Sequence, residues 1–346
     1  MPHTPDAPTS PAPYAQLTPH VVLHALDAVN LRGDGRLLQL NSYENRVFQV
    51  WLEDGDSVVA KFYRPARWSD AQILEEHAFA LELAQAEVPV VAPLTLSGAS
   101  DAEQLELLGT PPTLARLPDA LGLRYAVTPR RAGRSPELDD DEVLAWIGRF
   151  IGRIHALGSA GRFEHRARLD VDTLGRRSAR WLIEHDAVAP DVAHRWREAV
   201  STALDLCEAR FAAIDGLRWR RVHGDCHPGN LLWTEAGPHF VDLDDCGTGV
   251  AVHDLWMLLP GDADGERRCL ASLLEGYEQF CEFDRRELTL IEPLRTLRQI
   301  YHGAWLAQRW SDSAFPAAFP WFGTSAYWSE QTQQLLEQIE RMSDGA

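Results

Sequence analysis

The strongest chemical signal in the chain is the run Arg221-Val222-His223-Gly224-Asp225-Cys226-His227-Pro228-Gly229-Asn230-Leu231-Leu232-Trp233. Within it Asp225 follows His223 by two residues, and Asn230 follows Asp225 by five. Twelve residues after Asn230 comes Phe240-Val241-Asp242-Leu243-Asp244-Asp245. An Asp, a nearby Asn and an Asp ending the next strand are the parts of a phosphotransfer site. Mg²⁺ is a hard cation that prefers oxygen, so the Asn230 amide and the Asp242 carboxylate suit it against phosphate groups. A separate carboxylate, Asp225, can orient an acceptor hydroxyl and take its proton. The turn Glu235-Ala236-Gly237-Pro238 supplies the geometry, folding the two strands back so that Asn230 and Asp242 meet. Asp, Asn, Gly and Pro also shape ordinary turns, which would suffice for either residue alone. It does not account for the whole ordered set.

Neighbouring residues read as support. His223 is expected to be structural, its buried ring bonded to backbone. His253-Asp254-Leu255-Trp256 should open an apolar helix, with Asp254 as N-cap and a second role bracing the loop. His223, Cys226, His227 and Cys246 invite a zinc reading, but their spacing fits no standard closed site.

A second group lies far upstream. Lys61 sits in the strand-like run Val58-Val59-Ala60-Lys61-Phe62, where a lysine can neutralise phosphate oxygens. The bland alternative is a solvated edge-strand lysine. A phosphate-binding lysine needs an acidic partner, and the following helix offers Glu75 and Glu76. The loop Leu40-Asn41-Ser42-Tyr43-Glu44-Asn45-Arg46-Val47 has no glycine-rich pattern, yet Ser42, Tyr43 and Asn45 could offer donors to phosphate.

These residues need elements to hold them. Residues 1–13 carry five prolines and read as a flexible tail. Thr18 and Pro19 start a helix over 18–30. Residues 46–52 and 57–63 form a hairpin around Glu53-Asp54-Gly55-Asp56. A helix spans about 69–86, residues 88–94 are extended because of their prolines, and a strand over 123–127 ends at Thr128-Pro129. Residues 130–136 read as a link. Beyond it, 139–157, 173–213 and 265–310 are helical, interrupted by a β-rich island at 219–243. The domains are therefore the tail (1–13), a β-rich N-lobe (14–129) and a mainly helical C-lobe (130–346) in an α+β fold. The aromatic residues from Tyr301 to Trp328 read as helix packing, with a wall of the acceptor site as the alternative.

Composition sets bounds. The 346 residues are 45% hydrophobic and 24% charged, enough for about two globular domains. A formal net charge of −18 and no evident basic face argue against a general nucleic-acid or anionic-membrane binder. No apolar run approaches the ~20 residues of a membrane span. The N-terminus lacks the basic and apolar segments of a secretory signal, and five sparse cysteines suggest a reducing cytoplasm.

The two catalytic-type motifs resemble the aminoglycoside phosphotransferase and choline kinase superfamily. More closely, the chain resembles the bacterial stress response kinase A family. The matching stretches are residues 40–47, Val59-Ala60-Lys61-Phe62-Tyr63-Arg64-Pro65, Gln72-Ile73-Leu74-Glu75-Glu76-His77, Asp254-Leu255-Trp256-Met257-Leu258-Leu259 and Ile291-Glu292-Pro293-Leu294-Arg295. The resemblance spans about residues 17–335. It implies a two-lobed protein-kinase-like fold and a cytoplasmic ATP- and Mg²⁺-dependent serine/threonine protein kinase linked to stress survival. Carried onto this sequence, it makes Asp225 the catalytic base, Asn230 a Mg²⁺ ligand, and Asp242 both a second ligand and an active-site residue. Ser42 would face the ATP phosphates. Thr128 to Arg131, Arg130 among them, would be the hinge that meets adenine. Counting back from Val88-Pro89, Glu76 falls where related kinases carry their helix glutamate.

The chain departs from ordinary protein kinases in having His-Gly-Asp for His-Arg-Asp and Asp-Leu-Asp for Asp-Phe-Gly. It also lacks a long segment ending in Ala-Pro-Glu, so control by activation-loop phosphorylation is not expected. The leading expectation is transfer of phosphate from ATP to an unidentified protein, with autophosphorylation, by a monomer that binds neither nucleic acid nor membrane. Its rivals are a small-molecule kinase of the aminoglycoside, choline or homoserine kinase type and a nucleotide-binding scaffold without turnover.

Overall fold

A computed structural model of the chain describes residues 14, 16–100, 102, 104–116 and 122–344. The Pro-rich stretch 1–13, expected to be a tail, lies outside the described residues. The chain divides into two compact units, one of Met1–Asp70, Pro93–Arg130 and Arg309–Pro320, the other of Ala71–Ala92, Arg131–Gln308 and Trp321–Ala346.

The first unit is built on a six-stranded antiparallel sheet. Its strands are β1 (Gly33–Leu40), β2 (Arg46–Leu52), β3 (Ser57–Phe62), β4 (Glu106–Leu108), β5 (Leu114–Arg116) and β6 (Arg124–Pro129), in the order β1-β2-β3-β6-β5-β4. The β2–β3 hairpin turns where Gly55 takes a φ of 95°, a conformation open to glycine. Along β3 the alternation buries Val58, Ala60 and Phe62 and turns Ser57, Val59 and Lys61 to the other face. The buried set packs with Val22, Ala25 and Leu26 of α1 (Pro19–Asp27), whose N-cap Thr18 accepts the Val21 N–H at 3.4 Å. Strand β1 carries no alternation to read, because it is a largely exposed edge strand with an irregular register. Residues 309–320, which the sequence assigns to the helical lobe, join this unit through ion pairs. Arg309 meets Glu44 at 2.7 Å, Asp312 meets Arg64 at 2.8 Å, and Phe319 packs on Tyr43.

The second unit is mostly helical. Helix α2 (Asp70–Gln85) falls almost wholly within it, because Phe79 and Leu83 share a core with Leu144, Ile147 and Ile151 of α3 (Asp141–Ala160). The β-rich lobe read from the sequence, residues 14–129, includes that helix. Helices α4 (Arg177–Glu184), α5 (Ala193–Ala212), α6 (Ala263–Tyr277) and α7 (Ile291–Gln308) follow, with a last helix at Ser325–Asp344. Helices α3 and α6 pack backbone to backbone. A Cβ on Gly148 would lie 1.9 Å from the Leu273 carbonyl oxygen, and one on Gly276 would lie 1.8 Å from that of Ala145. Among the aromatic residues near the C-terminus, Trp328 is fully buried against Trp196, which donates to Gln331 at 2.7 Å. That is the packing role.

Among the described residues, no helix is long and apolar enough to cross a membrane. None of the five cysteines is in a disulfide.

Candidate active site

The β-rich island of the second unit contains two short ladders. Strand β7 (Arg220–Val222) pairs with β10 (Gly247–Gly249), and β8 (Leu231–Thr234) pairs with β9 (Gly237–Phe240). The segment 223–230 leaves β7 and enters β8, while 241–246 leaves β9 and enters β10. Both segments are therefore fastened at both ends by the same two ladders. The Val241 N–H donates to the Asn230 carbonyl at 3.1 Å, which carries the β8–β9 pairing up to the neighbours of Asp242. The extended 88–91 stretch runs along β9, with Phe240 donating to the Pro89 carbonyl and Val91 to that of Phe240.

Segment 223–230 is held from inside the protein. Asp254 accepts the His223 N–H at 2.7 Å and the Gly224 N–H at 2.9 Å. Its neighbour His253 donates Nε2–H to the Gly224 carbonyl at 3.1 Å. The bracing role expected of Asp254 is present, but not the cap, because it ends a short 3-10 turn (Ala251–Asp254) instead of starting a helix. Gly224 has a φ of 84°, and a Cβ there would lie 2.1 Å from the Asp245 carbonyl oxygen. This explains glycine in His-Gly-Asp: no side chain fits. The His223 ring bonds within the two segments, Nε2 to the Val241 carbonyl at 3.0 Å and Nδ1 to the Asp225 N–H at 3.3 Å. It is structural, as expected, with no nitrogen left for zinc.

A buried relay stands behind Asp254. His155 on α3 bonds Asp254 through Nε2 at 3.0 Å and the Tyr277 hydroxyl through Nδ1 at 2.9 Å. Burial pushes the Asp254 carboxyl up, but its bond to His155 and the nearby charges of His155, His223 and His253 outweigh this and hold it at about 2. Burial pushes His155 and His253 down. Nothing in the sequence ties His155 to this relay.

Asp225 is surrounded by donors. Asn230 Nδ2 donates to its carbonyl at 2.9 Å and to Oδ2 at 3.3 Å, and His227 Nε2 lies 3.5 Å from Oδ2. Arg298 Nη1 lies 2.6 Å from Oδ1, but without the alignment of a hydrogen bond. Oδ1 thus has a charge beside it and an acceptor position unspent. Burial raises this carboxyl, and the His227 hydrogen bond with the charges of Arg298, His227 and His223 overcome that, holding it well below the usual carboxylate range. Asp225 is ionised at neutral pH. Arg298, three residues after Arg295 on α7, carried no motif that could have flagged it.

With its amide nitrogen on Asp225, Asn230 keeps Oδ1 without a hydrogen-bond partner among the described residues. Asp242 is exposed and adopts a left-handed backbone, φ 60° and ψ 64°, uncommon for a residue other than glycine. Among the described residues no group of three or more His, Cys, Asp and Glu could hold a metal ion. An amide oxygen and one carboxylate are the donor set of a cation whose remaining ligands come from phosphate and water, as Mg²⁺ takes them. The residues fit that ion.

The two glutamates of α2 divide their work. Glu75 accepts the backbone N–H groups of Glu164, His165 and Arg166 at 2.5, 2.9 and 2.7 Å. Glu76, buried, pairs with Arg166 at 2.7 Å, and Arg166 Nη1 donates to the Asp244 carbonyl at 2.5 Å. Helix α2 is thereby bonded to the segment that presents Asp242. Arg166 was not singled out from sequence, because it lies in a loop without a motif.

In the first unit, Lys61 lies on β3 between β2 and β6, opposite Val47 and Ala126. It is not an edge-strand lysine. Its end of β3 adjoins the 41–45 loop, where Ser42 Oγ accepts the Asn45 N–H at 3.3 Å. Asn45 and Glu44 are buried and spent inside the unit: Asn45 Oδ1 accepts the Arg64 N–H, and Glu44 pairs with Arg64 at 3.0 Å. Ser42 and Tyr43 remain partly or largely open. Arg130 sits at the other end of β3, its N–H donating to Ser57 at 3.2 Å. Lys61 lies four positions beyond Ser57, a span of about 13 Å.

The profile of the phosphotransferase enzyme family matches residues 36–291. The chain belongs to that family. Within it, the chain belongs with the stress response kinase A proteins. It is 40% identical over 337 residues to stress response kinase A of Escherichia coli K12, covering 96% of this chain and 95% of that one. A Salmonella typhimurium relative named serine/threonine protein kinase RdoA is 40% identical over 333 residues, covering 94% of each. The chain is thus a stress response kinase relative across nearly its whole length. Its fold is that of an amicoumacin kinase solved with AMP-PNP, Ca²⁺ and Ami, at a TM-score of 0.68 and 20% identity over 94% of this chain and 93% of that one. A microcompartment-associated aminopropanol kinase has a TM-score of 0.66 at 18% identity, over 93% and 98%. These likenesses establish the two-lobed α+β kinase-type fold expected from the sequence.

Proposed function

We propose that this protein is an ATP-dependent serine/threonine protein kinase of the cytoplasm, able also to phosphorylate itself. The observation that carries the reading is the set Asp225, Asn230 and Asp242 on two loops pinned by shared ladders, with Asp225 ionised and Asn230 Oδ1 unspent. The relative named as a serine/threonine protein kinase supports a protein acceptor. A small-molecule acceptor is the second reading, favoured by the amicoumacin and aminopropanol kinases that share the fold.

In this reading the N-lobe, residues 14–129, binds the nucleotide and the C-lobe, residues 130–346, carries the catalytic loop and acceptor site. Lys61 and Ser42 hold phosphate oxygens at one end of β3, while Arg130 and its neighbours meet adenine at the other. The span along β3 suits a nucleotide laid lengthwise. Glu76 supports the site through Arg166, which ties helix α2 to the segment that presents Asp242. Asn230 and Asp242 hold Mg²⁺, which supplies charge neutralisation to the triphosphate when bound. The Asp225 carboxylate accepts the proton of the acceptor hydroxyl as the hydroxyl oxygen bonds to the γ-phosphorus and the bond from phosphorus to the ADP oxygen breaks.

The test is transfer from γ-labelled ATP with Mg²⁺, to the protein itself and to a generic protein acceptor, beside Asp225→Asn and Asp242→Asn. Label on serine or threonine that both substitutions abolish is the expected result. Label found only on added small alcohols moves the assignment to the second reading. Nucleotide binding without turnover leaves only the scaffold.

A further inference from the structure

Beside Asp225 the second unit has a pocket of about 520 Å³ whose wall includes His227, Trp256, Arg295, Arg298 and Arg341. Two of these approach the Asp225 carboxylate, Arg298 at 2.6 Å and His227 at 3.5 Å. A hydroxyl presented to Asp225 therefore leaves the rest of its molecule at this pocket. No carboxylate is among its described lining side chains.

The three arginines are not equally committed. Arg295 is mostly buried and bridges Glu292 and Glu266, both at 2.5 Å. Arg341 is 57% exposed and lies 3.6 Å from Glu292 Oε2, too far for a hydrogen bond. Arg298 is 42% exposed, and among the described residues its one ion pair is with Asp225, without hydrogen-bond alignment. The Trp256 indole N–H is buried and has no acceptor among the described residues, so the exposed donors are the guanidinium groups. Apart from Asp225, which the acceptor hydroxyl meets, the carboxylates paired with these arginines, Glu292 and Glu266, are not among the described lining residues. A cationic acceptor would meet like charges there. A carboxylate or phosphate would take charge-assisted bonds from Arg341 and Arg298. This is a local reversal on a chain of net charge −18.

We propose that this pocket selects an acceptor whose hydroxyl is flanked by anionic groups, above all an acidic stretch of polypeptide, and that Arg341 and Arg298 read that charge. The inference rests on the kinase reading and narrows it to a substrate class. It sets the protein apart from kinases whose acceptors are amines.

The test uses the full-length protein with Mg²⁺ and labelled ATP. The acceptors are a short serine peptide flanked by glutamates, the same peptide with glutamines or lysines instead, glycerol 3-phosphate and choline. The glutamate peptide should exceed the glutamine peptide in kcat/KM by about fivefold. Arg341→Gln should remove that preference and Arg341→Glu should invert it toward lysine, with unfolding midpoints unchanged because Arg341 is exposed. A preference for glycerol 3-phosphate over choline that Arg341→Gln removes also supports an anionic acceptor, of small size. Equal transfer to all peptides, or preferential transfer to the lysine peptide or choline, overturns the inference and leaves the kinase reading standing. Failure of the kinase reading is separated by binding of the glutamate peptide with alanine in place of serine. Tighter binding to the wild type than to Arg341→Gln sustains the pocket's role without turnover, and equal binding overturns it.

Discussion

Arg166 and Glu76 form an ion pair at 2.7 Å in which the Arg166 side chain is wholly buried and that of Glu76 nearly so. The same guanidinium donates to Gln72 and Asp244 carbonyls, so one side chain bonds helix α2 to the segment carrying Asp242. Removing one partner of a buried pair leaves the other charge stranded, at a cost of about 3–5 kcal/mol. Arg166→Gln should lower stability by that order. Adding Glu76→Gln should recover part of the loss, which a double-mutant cycle in urea measures. Phosphate transfer should fall about a hundredfold through misplacement of Asp242. Unchanged transfer in a folded Arg166→Gln protein would show that Asp242 keeps its place without this link.

Gly224→Ala tests the reason for the His-Gly-Asp sequence. The substitution meets the Asp245 carbonyl at 2.1 Å and a left-handed φ at once. Gly216 makes the comparison, since its φ of 70° is similar and nothing lies within 4 Å of a Cβ there. Gly216→Ala should cost only the conformational penalty of about 1–2 kcal/mol. Gly224→Ala should cost more, read as a larger fall in thermal midpoint, and should abolish phosphate transfer. Equal midpoints would mean that the 223–230 and 241–246 segments part easily.

These two cases show what a sequence carries and what it does not. Asp225, Asn230 and Asp242 were legible because their spacing is set by one hairpin, a local object. Strand β3 was legible because it alternates. Arg166, His155 and Arg298 were not, since each acts through a partner at least 73 residues away, and no periodicity encodes such a pairing. Helix α2 was found within one residue at each end, but the core that its apolar face joins, with Leu144, Ile147 and Ile151, was not. Its apolar face is written in the sequence, whereas the surface that covers it is not. Residues 309–320 escaped for the same reason, because the buried pairs of Arg309 and Asp312 join distant stretches.

Stability should fall as pH drops, in two stages. His155 and His253 are held below their ordinary values by burial, so the unfolded chain binds protons more readily. Their contribution is complete above about pH 6.5 and declines below it. Asp254, held at about 2, adds stability that is present above its unfolded value near 3.8 and is lost as pH falls toward 2. Asp254→Asn should flatten the lower stage. It should also lower stability at neutral pH by about 3 kcal/mol, because His155 and two backbone N–H groups lose a charged partner. Urea midpoints of both proteins across this range check the sign, and parallel curves below pH 4 would remove Asp254 from the account.

Asn230→Ala should separate metal binding from folding. Asn230 spends its amide nitrogen on Asp225 and keeps Oδ1 for a cation, so the substitution removes one oxygen donor and loosens Asp225 as well. Chelation should abolish phosphate transfer by the wild type, and added Mg²⁺ should restore it. In Asn230→Ala the Mg²⁺ concentration for half-maximal transfer should rise by about tenfold or more, with a lower maximum. Asn230→Asp retains an oxygen donor but places a second carboxylate against Asp225, so it should recover Mg²⁺ affinity without recovering the maximum. Both variants should unfold near the wild-type midpoint, because Asn230 is only partly buried. A Mg²⁺ requirement unchanged in Asn230→Ala would assign the cation to Asp242 and phosphate alone and leave Asn230 as a brace for Asp225.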